Sequence, residues 1–319
     1  MNDIIIFGGS GFIGSHLIKY LNSFGISPIV CDIIKKPLLE DLDYTFRFVD
    51  VRKPIDIDIS NFNIYAIYNL AAISKSPGHE PNEYYDTNIN GAKNICDFAR
   101  KNSINKIVFT STIAVYGFNE IASIEDSNLD ADSDYGHSKI QAESIHSKWL
   151  SEFKNRQLII LRPAVVYGLN ENSNFHRLYK AMKLGLFFYP GRKDTLKSCI
   201  YVKDLVSISY SLLKENTSEI INMCYKNALT IEEIVENIAK ICHFRIPSLV
   251  IPSQFLLTIS FIINKLTINK IGIHPDRVKK IMFSTNVSGN KLSDLGYQLI
   301  GFENSIKDWF DDSDSNGLL

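Results

Sequence analysis

The run Ile4-Ile5-Ile6-Phe7, followed at once by Gly8-Gly9-Ser10-Gly11-Phe12-Ile13-Gly14, leaves this chain few folds to choose from. Four consecutive apolar residues read as a buried strand, and residues 12–24 then place Phe12, Ile13, Leu17, Leu21 and Phe24 at helical spacing. Ser27 to Cys31 returns to strand, which closes a β-α-β unit around the glycines. A glycine backbone takes the tight turn, lets a pyrophosphate approach and leaves the free N–H groups of the helix N-terminus facing it. Asp32 stands eighteen residues past Gly14, at the end of the second strand. A carboxylate there accepts hydrogen bonds from the adenosine ribose hydroxyls and repels a 2′-phosphate, so the spacing predicts NAD as cofactor in preference to NADP.

Strands are also expected at 44–49, 64–70, 106–110 and 158–161, with helices near 82–101 and 135–153. That alternation predicts an α/β fold, a doubly wound parallel (Rossmann) sheet covered by helices on both faces. Beyond Arg162 it weakens. Helical segments near 174–184, 203–214, 230–242 and 275–283, and short strands near 199–202 and 219–223, predict a smaller C-terminal α/β substrate lobe. The expected division is an NAD-binding domain over 1–165, with 199–215 returning to it, and a discontinuous, mainly substrate-binding lobe over 166–319.

Charge narrows the partners. The 34 Lys+Arg against 35 Asp+Glu leave no basic excess for nucleic acid or an anionic membrane. Five scattered cysteines without a C-x-x-C pair argue against a disulfide framework or a cysteine-based zinc site, and seven histidines without H-x-x-x-H spacing give no metal site either. The acidic residue in the N-terminal MNDIIIF run speaks against an export signal and predicts a cytoplasmic protein. One stretch departs from the average: residues 246–264, IPSLVIPSQFLLTISFIIN, are uncharged and bounded by Arg245 and Lys265. Two prolines and several polar residues disfavour a membrane span and predict a buried or interface-lying helix from about Ser253 to Asn264.

Tyr-x-x-x-Lys occurs four times, at Tyr135/Lys139, Tyr179/Lys183, Tyr189/Lys193 and Tyr210/Lys214. On a helix this spacing puts phenol and ammonium on one face, where the cation favours phenolate. Only Tyr135/Lys139 lies between two expected sheet strands, after the hydroxyl cluster Thr110-Ser111-Thr112 at a strand's carboxyl end, where open α/β sheets bind ligands. Tyr135 is therefore the candidate acid/base, Lys139 its tuner, and Thr112 or Ser111 the substrate-orienting hydroxyl.

With these segments in order, the chain resembles the extended short-chain dehydrogenase/reductases of the NAD-dependent nucleotide-sugar epimerase/dehydratase family. Asp50-Val51-Arg52 resembles the family's adenine-side segment, Asn69-Leu70-Ala71-Ala72 its His-Leu-Ala-Ala strand end, and Asn88-Ile89-Asn90-Gly91 its N-x-x-G helix. Phe109 to Gly117 is similar to the segment with the catalytic hydroxyl, which falls on Thr112; Tyr135-Gly136-His137-Ser138-Lys139 is similar to Y-G-x-S-K; Leu161-Arg162-Pro163 and Lys197 to Asp204 are similar to later family segments. The resemblance implies NAD contacts at Gly8, Gly11, Phe12, Ile13, Gly14, Asp32, Ile33, Asp50, Val51, Leu70, Ala71, Ala72, Asn88, Thr110, Tyr135, Lys139 and Pro163. It implies substrate contacts at Ser74, Thr112, Asn174, Lys197 and Arg277, with an N-cap as the competing role for Asn174, and a homodimer formed through the helices near 82–101 and 135–153.

Departures from the pattern narrow the chemistry. Dehydratases and decarboxylases of the family carry an acid after the catalytic hydroxyl, where this chain has Ile113 and Ala114. The resemblance then implies 4-epimerisation of a diphosphate-linked sugar in bacterial surface polysaccharide synthesis, with Tyr135 moving the proton. Val165 in place of a common Asn, and Lys197 in place of an Arg fork, resemble a subgroup that includes an epimerase acting on undecaprenyl-diphospho-N-acetylglucosamine; on that carrier 246–264 would be a peripheral membrane contact. A 4-keto-sugar reductase would use the same residues once per turnover. A non-catalytic NAD-binding scaffold would lack the hydroxyl-Tyr-Lys set, which is present in full.

Overall fold

A computed structural model describes residues 3–35, 41–76, 78–256, 258 and 282–313. The chain divides into two compact units, one of Met1–Gly117, Glu125–Ala164 and Val202–Met223, the other of Phe118–Ile124, Val165–Tyr201 and Cys224–Leu319.

The first unit is built on a parallel sheet of β1 (Asp3–Phe7), β2 (Ile29–Asp32), β3 (Thr45–Phe48), β4 (Ile64–Asn69), β5 (Lys106–Thr110), β7 (Gln157–Pro163) and β12 (Glu219–Met223). These strands lie in the order β12-β7-β5-β4-β1-β2-β3. The apolar runs of β1 and β4 pair in register, Ile5 with Ile67 and Phe7 with Asn69. Alternation sends Ile5, Phe7, Ile67 and Ile107 into one core with Ile95, Phe98 and Trp149. Those last three come from α3 (Gly91–Lys101) and α4 (Asp134–Ser151), which pack together, while α1 (Phe12–Asn22) packs against α6 (Val202–Lys214). Strand order reverses between β1 and β4, the switch point at which such sheets bind ligands. Helix α2 (Pro81–Tyr85) and α3 are not the single helix expected over 82–101. A wide π turn at Asp86–Asn90 joins them and carries buried Asn88.

The second unit has a four-stranded sheet, β13 (Leu229–Thr230), β10 (Leu196–Lys197), β15 (Thr285–Val287) and β6 (Asn119–Ser123). Two pairs accompany it: β8 (Val165–Tyr167) with β11 (Cys199–Tyr201), and β9 (Tyr189–Pro190) with β14 (Val250–Ile251). Among the described residues its helices are α5 (Asn174–Lys183), α7 (Ile231–Cys242), α8 (Asn290–Asp294) and α9 (Phe302–Asp312). Tyr167 stacks on Phe175 at 4.5 Å and meets Phe302 edge-on, and its hydroxyl bonds Ser305 of α9. Thr230 and Glu233 form a capping box that starts α7.

Among the described residues, no helix is long and apolar enough to cross a membrane. The uncharged stretch contributes β14 and a helical start at Ser253 to Leu256; its continuation to 264, most of the helix expected over 275–283, and Arg277 lie outside the described residues.

Candidate active site

The glycine loop is locked to the β4 exit. Gly8 has φ +76°, and a side chain there would put its Cβ 2.6 Å from the Ala71 nitrogen, so only glycine lets the two strand ends approach this closely. Gly8 N–H donates to the Cys31 carbonyl (2.9 Å) and Leu70 N–H to that of Phe7 (2.9 Å). The Asp32 carboxylate closes the loop, one oxygen accepting from Ser10 N–H at 3.1 Å and the other from Ile33 N–H at 2.7 Å. Phe12 and Ile13 follow at the start of α1, with Phe12 edge-on to His16. Ile33 stands exposed just beyond Asp32.

In the segment Asp50-Val51-Arg52 the acid is ion-paired rather than free. Arg52 donates to both oxygens of Asp50, at 2.9 and 2.7 Å, and holds its carboxyl below the usual carboxylate range. Val51 is buried, its carbonyl accepting from Asn94 at 2.8 Å.

The candidate acid/base group is assembled where β5 ends and α4 begins. Ser133 caps α4 by accepting from Gly136 N–H (3.3 Å), and the Tyr85 hydroxyl donates to Asp134 in the first turn (2.9 Å). Gly136 has no room for a side chain: a Cβ would lie 2.6 Å from the Ala114 carbonyl oxygen and 2.7 Å from the Ala131 Cβ. This close seat presses the start of α4 onto the segment that bears Thr112, a role that the Y-G-x-S-K spacing gave no means of assigning. Loss of water around the Tyr135 phenol pushes it up to about 12, and a hydrogen bond from Thr112 works the other way. Thr112 Oγ1 accepts from Ala114 N–H at 3.2 Å, which leaves its proton for Tyr135.

Lys139 is buried, donates from Nζ to the Thr110 carbonyl at 2.6 Å, and lies 4.4 Å from the centre of the Phe109 ring. Burial pulls its ammonium down to about 7, with Glu143 opposing. The other three Tyr-x-x-x-Lys pairs are built differently: Lys183, Lys193 and Lys214 each lie over their own tyrosine ring, at 5.8, 4.9 and 4.1 Å.

Ser111 has its hydroxyl engaged within the protein. It donates to Glu143 at 2.5 Å, and Glu143 is held by both arms of Arg162 at 3.0 and 2.7 Å. Arg162 continues to Tyr116 Oη (2.7 Å) and the Glu125 carbonyl (2.9 Å), and Tyr116 donates to Asn222 (2.8 Å). The sequence reading gave Glu143 no part; the signal was a glutamate one turn past Lys139 with an arginine in the next strand. Pro163 ends β7 beside this network.

Asn88, expected on the cofactor side, is bonded to the protein on both sides. Its Oδ1 accepts from Ile73 N–H (3.0 Å) and its Nδ2 donates to Ser138 Oγ (2.8 Å), while Ser138 donates to the Tyr135 carbonyl (2.8 Å). The amide is thus a strut between the chain beyond Ala72 and α4. Ser74 is exposed nearby in sequence. His79 and Glu80 serve α2, Glu80 as its cap with Glu83 and His79 beside Glu83 at 3.4 Å.

Two expected substrate residues among the described ones belong to the second unit. Ser173, not Asn174, holds the cap position of α5, and the buried Glu171 carboxylate accepts from the N–H groups of Ser173 (2.6 Å) and His176 (2.9 Å). Asn174 is exposed in the first turn. Lys197 donates to the Phe283 carbonyl at 2.5 Å, and burial draws it down to about 7.

The residues present fit a dinucleotide: a glycine-rich loop at a helix N-terminus, a fixed carboxylate at the next strand end, and a Thr-Tyr-Lys set at the switch-point side of the sheet. Residues 4–224 match the family model described as "NAD dependent epimerase/dehydratase family". The chain is 28% identical over 308 residues to the N-acetyl-α-D-glucosaminyl-diphospho-ditrans,octacis-undecaprenol 4-epimerase of Escherichia coli O157:H7, covering 93% of this chain and 91% of the relative. It is similar to the solved UDP-N-acetylglucosamine 4-epimerase of Bacillus cereus, with TM-score 0.67 and 26% identity over 78% of this chain and 85% of that one. The UDP-glucose 4-epimerase of Thermus thermophilus, solved with NAD, shares the fold at TM-score 0.75 and 21% identity, covering 98% and 99%. The chain belongs to the NAD-dependent epimerase/dehydratase family, and its cofactor is NAD.

Proposed function

We propose that the protein is a 4-epimerase of a hexose or N-acetylhexosamine carried on a diphosphate, either UDP or undecaprenyl diphosphate, in bacterial lipopolysaccharide or O-antigen synthesis. The observation that carries this reading is the pairing of Thr112 with Tyr135 at the end of β5, followed by buried Ile113 and by Ala114. That arrangement supplies one proton-transfer group and none for elimination at a neighbouring carbon. The names of the relatives support the position of the chemistry, and the undecaprenol-linked one supports a lipid carrier.

In this reading the Gly8–Gly14 loop holds the pyrophosphate of NAD and Asp32 its adenosine ribose. NAD, when bound, would supply a reversible hydride acceptor for C4 of the sugar, and inversion requires that the hydride return to the opposite face of that carbon. Tyr135 removes the proton from the sugar 4-hydroxyl and gives it back, Thr112 orients that oxygen, and Lys139 supplies positive charge beneath them. No net redox change results, so turnover needs no added reductant. The enzyme works in the cytoplasm as a homodimer.

The test is to incubate the protein, without added cofactor, separately with UDP-N-acetylglucosamine and with its undecaprenyl-diphosphate counterpart, then identify the sugar released. Epimerised product from either carrier supports the reading. Conversion only of a 4-keto sugar with added NADH would replace it with a reductase.

A further inference from the structure

In the second unit, exposed apolar residues gather on two runs that the fold holds together. Leu184 and Leu186 follow α5, and Ile246, Leu249, Val250 and Phe255 lie on the 243–256 segment, each at least 40% exposed. Tyr189 N–H donates to the Leu249 carbonyl and Gly191 N–H to that of Ile251, both at 2.8 Å, and Phe244 packs on Tyr179 of α5 at 5.4 Å. Gly185, at φ +68°, turns the chain sharply as α5 ends, with Leu186 N–H on the Ala181 carbonyl at 2.9 Å. The turn leaves Leu184 and Leu186 facing water.

The charge of these runs is one-sided in a chain whose charges balance. No Asp or Glu occurs between Glu171 and Asp194, nor between Glu236 and Asp276. Arg177, Lys180, Lys183 and Arg245 are exposed there. Arg192 and Lys193, at the end of the first run, are excluded from this set because they pair with Glu120 and Glu232.

We propose that this face docks on an anionic lipid bilayer, the six apolar side chains entering the acyl boundary while the four cations meet lipid phosphates. A second copy fits poorly, because a two-fold contact would set the cations of one face against the same cations of the other. A bilayer supplies hydrocarbon and negative charge together. The inference goes beyond the epimerase reading and does not rest on it, since binding is measured without sugar.

The experiment is co-sedimentation of the full chain with vesicles of phosphatidylglycerol and phosphatidylcholine, and with phosphatidylcholine alone. Binding is expected only to the anionic vesicles and should weaken as salt rises. The double variants Lys180→Glu/Lys183→Glu and Leu186→Ser/Phe255→Ser should each weaken it roughly tenfold or more, with thermal melting and bound NAD as wild type. The charge pair is exposed, so it stays informative if the apolar pair misfolds. No binding to anionic vesicles, or binding that neither variant changes, would overturn the proposal. So would a dimer that both variants dissociate in ultracentrifugation, which would assign the face to a second copy.

Discussion

The Lys139 ammonium donates to the Thr110 carbonyl at 2.6 Å and thereby fastens α4 to the end of β5. The same nitrogen lies 4.4 Å from the centre of the Phe109 ring, so the charge is held by the main chain and a phenyl face rather than by a phenol face. Lys139→Met should keep the fold and lower turnover by about 10²–10⁴-fold. Lys139→Arg should not restore it, because a planar fork does not fit a buried site shaped for a point charge. Steady-state rates, with bound NAD measured on the same samples, check this.

Tyr135→Phe should abolish measurable epimerisation while leaving NAD bound, since the ring stays and only the proton carrier goes. Thr112→Ala should lower turnover, and Thr112→Ser should restore most of it by returning the donor to the phenol. Because Tyr135 is pushed up to about 12 in the ligand-free site, a reaction begun by phenolate should speed up as pH rises towards that value. A flat rate profile above neutral pH would reject the proton-transfer assignment.

Asp32→Asn keeps one oxygen for Ser10 N–H but removes the charge. It should weaken NAD binding and raise the relative affinity for NADP by roughly tenfold, the scale of one charge-assisted hydrogen bond. Titration with both dinucleotides decides it, and an unchanged ratio would remove the ribose role.

Glu143→Gln leaves the Arg162 guanidinium buried without its counter-charge. The cost should be about 3–5 kcal/mol in urea unfolding. Glu143→Gln combined with Arg162→Met should cost less than the sum of the single changes, because the two side chains form one network.

His146 stacks on Phe109 at 4.1 Å and is fully buried. Burial lowers its pKa from 6.5 to about 4. Between those values the unfolded chain binds a proton that the folded chain does not, so stability is full above pH 6.5 and falls as pH drops towards 4. The loss attributable to this group is about 3 kcal/mol at one pKa unit per 1.36 kcal/mol. His146→Gln should flatten that part of the stability curve, measured as urea midpoints at pH 7 and pH 4.5.

Long apolar strands and the glycine loop could be read directly: the 106–110 strand is found at Lys106–Thr110, and the β-α-β unit around Gly8 is as expected. Strands such as Tyr189–Pro190 and Leu229–Thr230 are too short to carry a period, and Asn119–Ser123 is a strand only because Thr285–Val287 lies beside it. The π turn at Asp86–Asn90 escaped notice because helical spacing continues on both sides of it. Within the candidate site, place along the chain set Tyr135/Lys139 apart from the other three pairs. It could not separate Ser111 from Thr112, because neighbouring hydroxyls at a strand end differ only in the direction each faces.

The Asn88 strut has a mechanical consequence. Its amide grips Ile73 on one side and Ser138 on the other, so the wall beyond β4 and the start of α4 move as one body. Separating them would strand a buried amide, which costs more than the bonds themselves are worth in water. The site is therefore preorganised: its geometry is set when the chain folds, and ligand binding need not supply the free energy to assemble it.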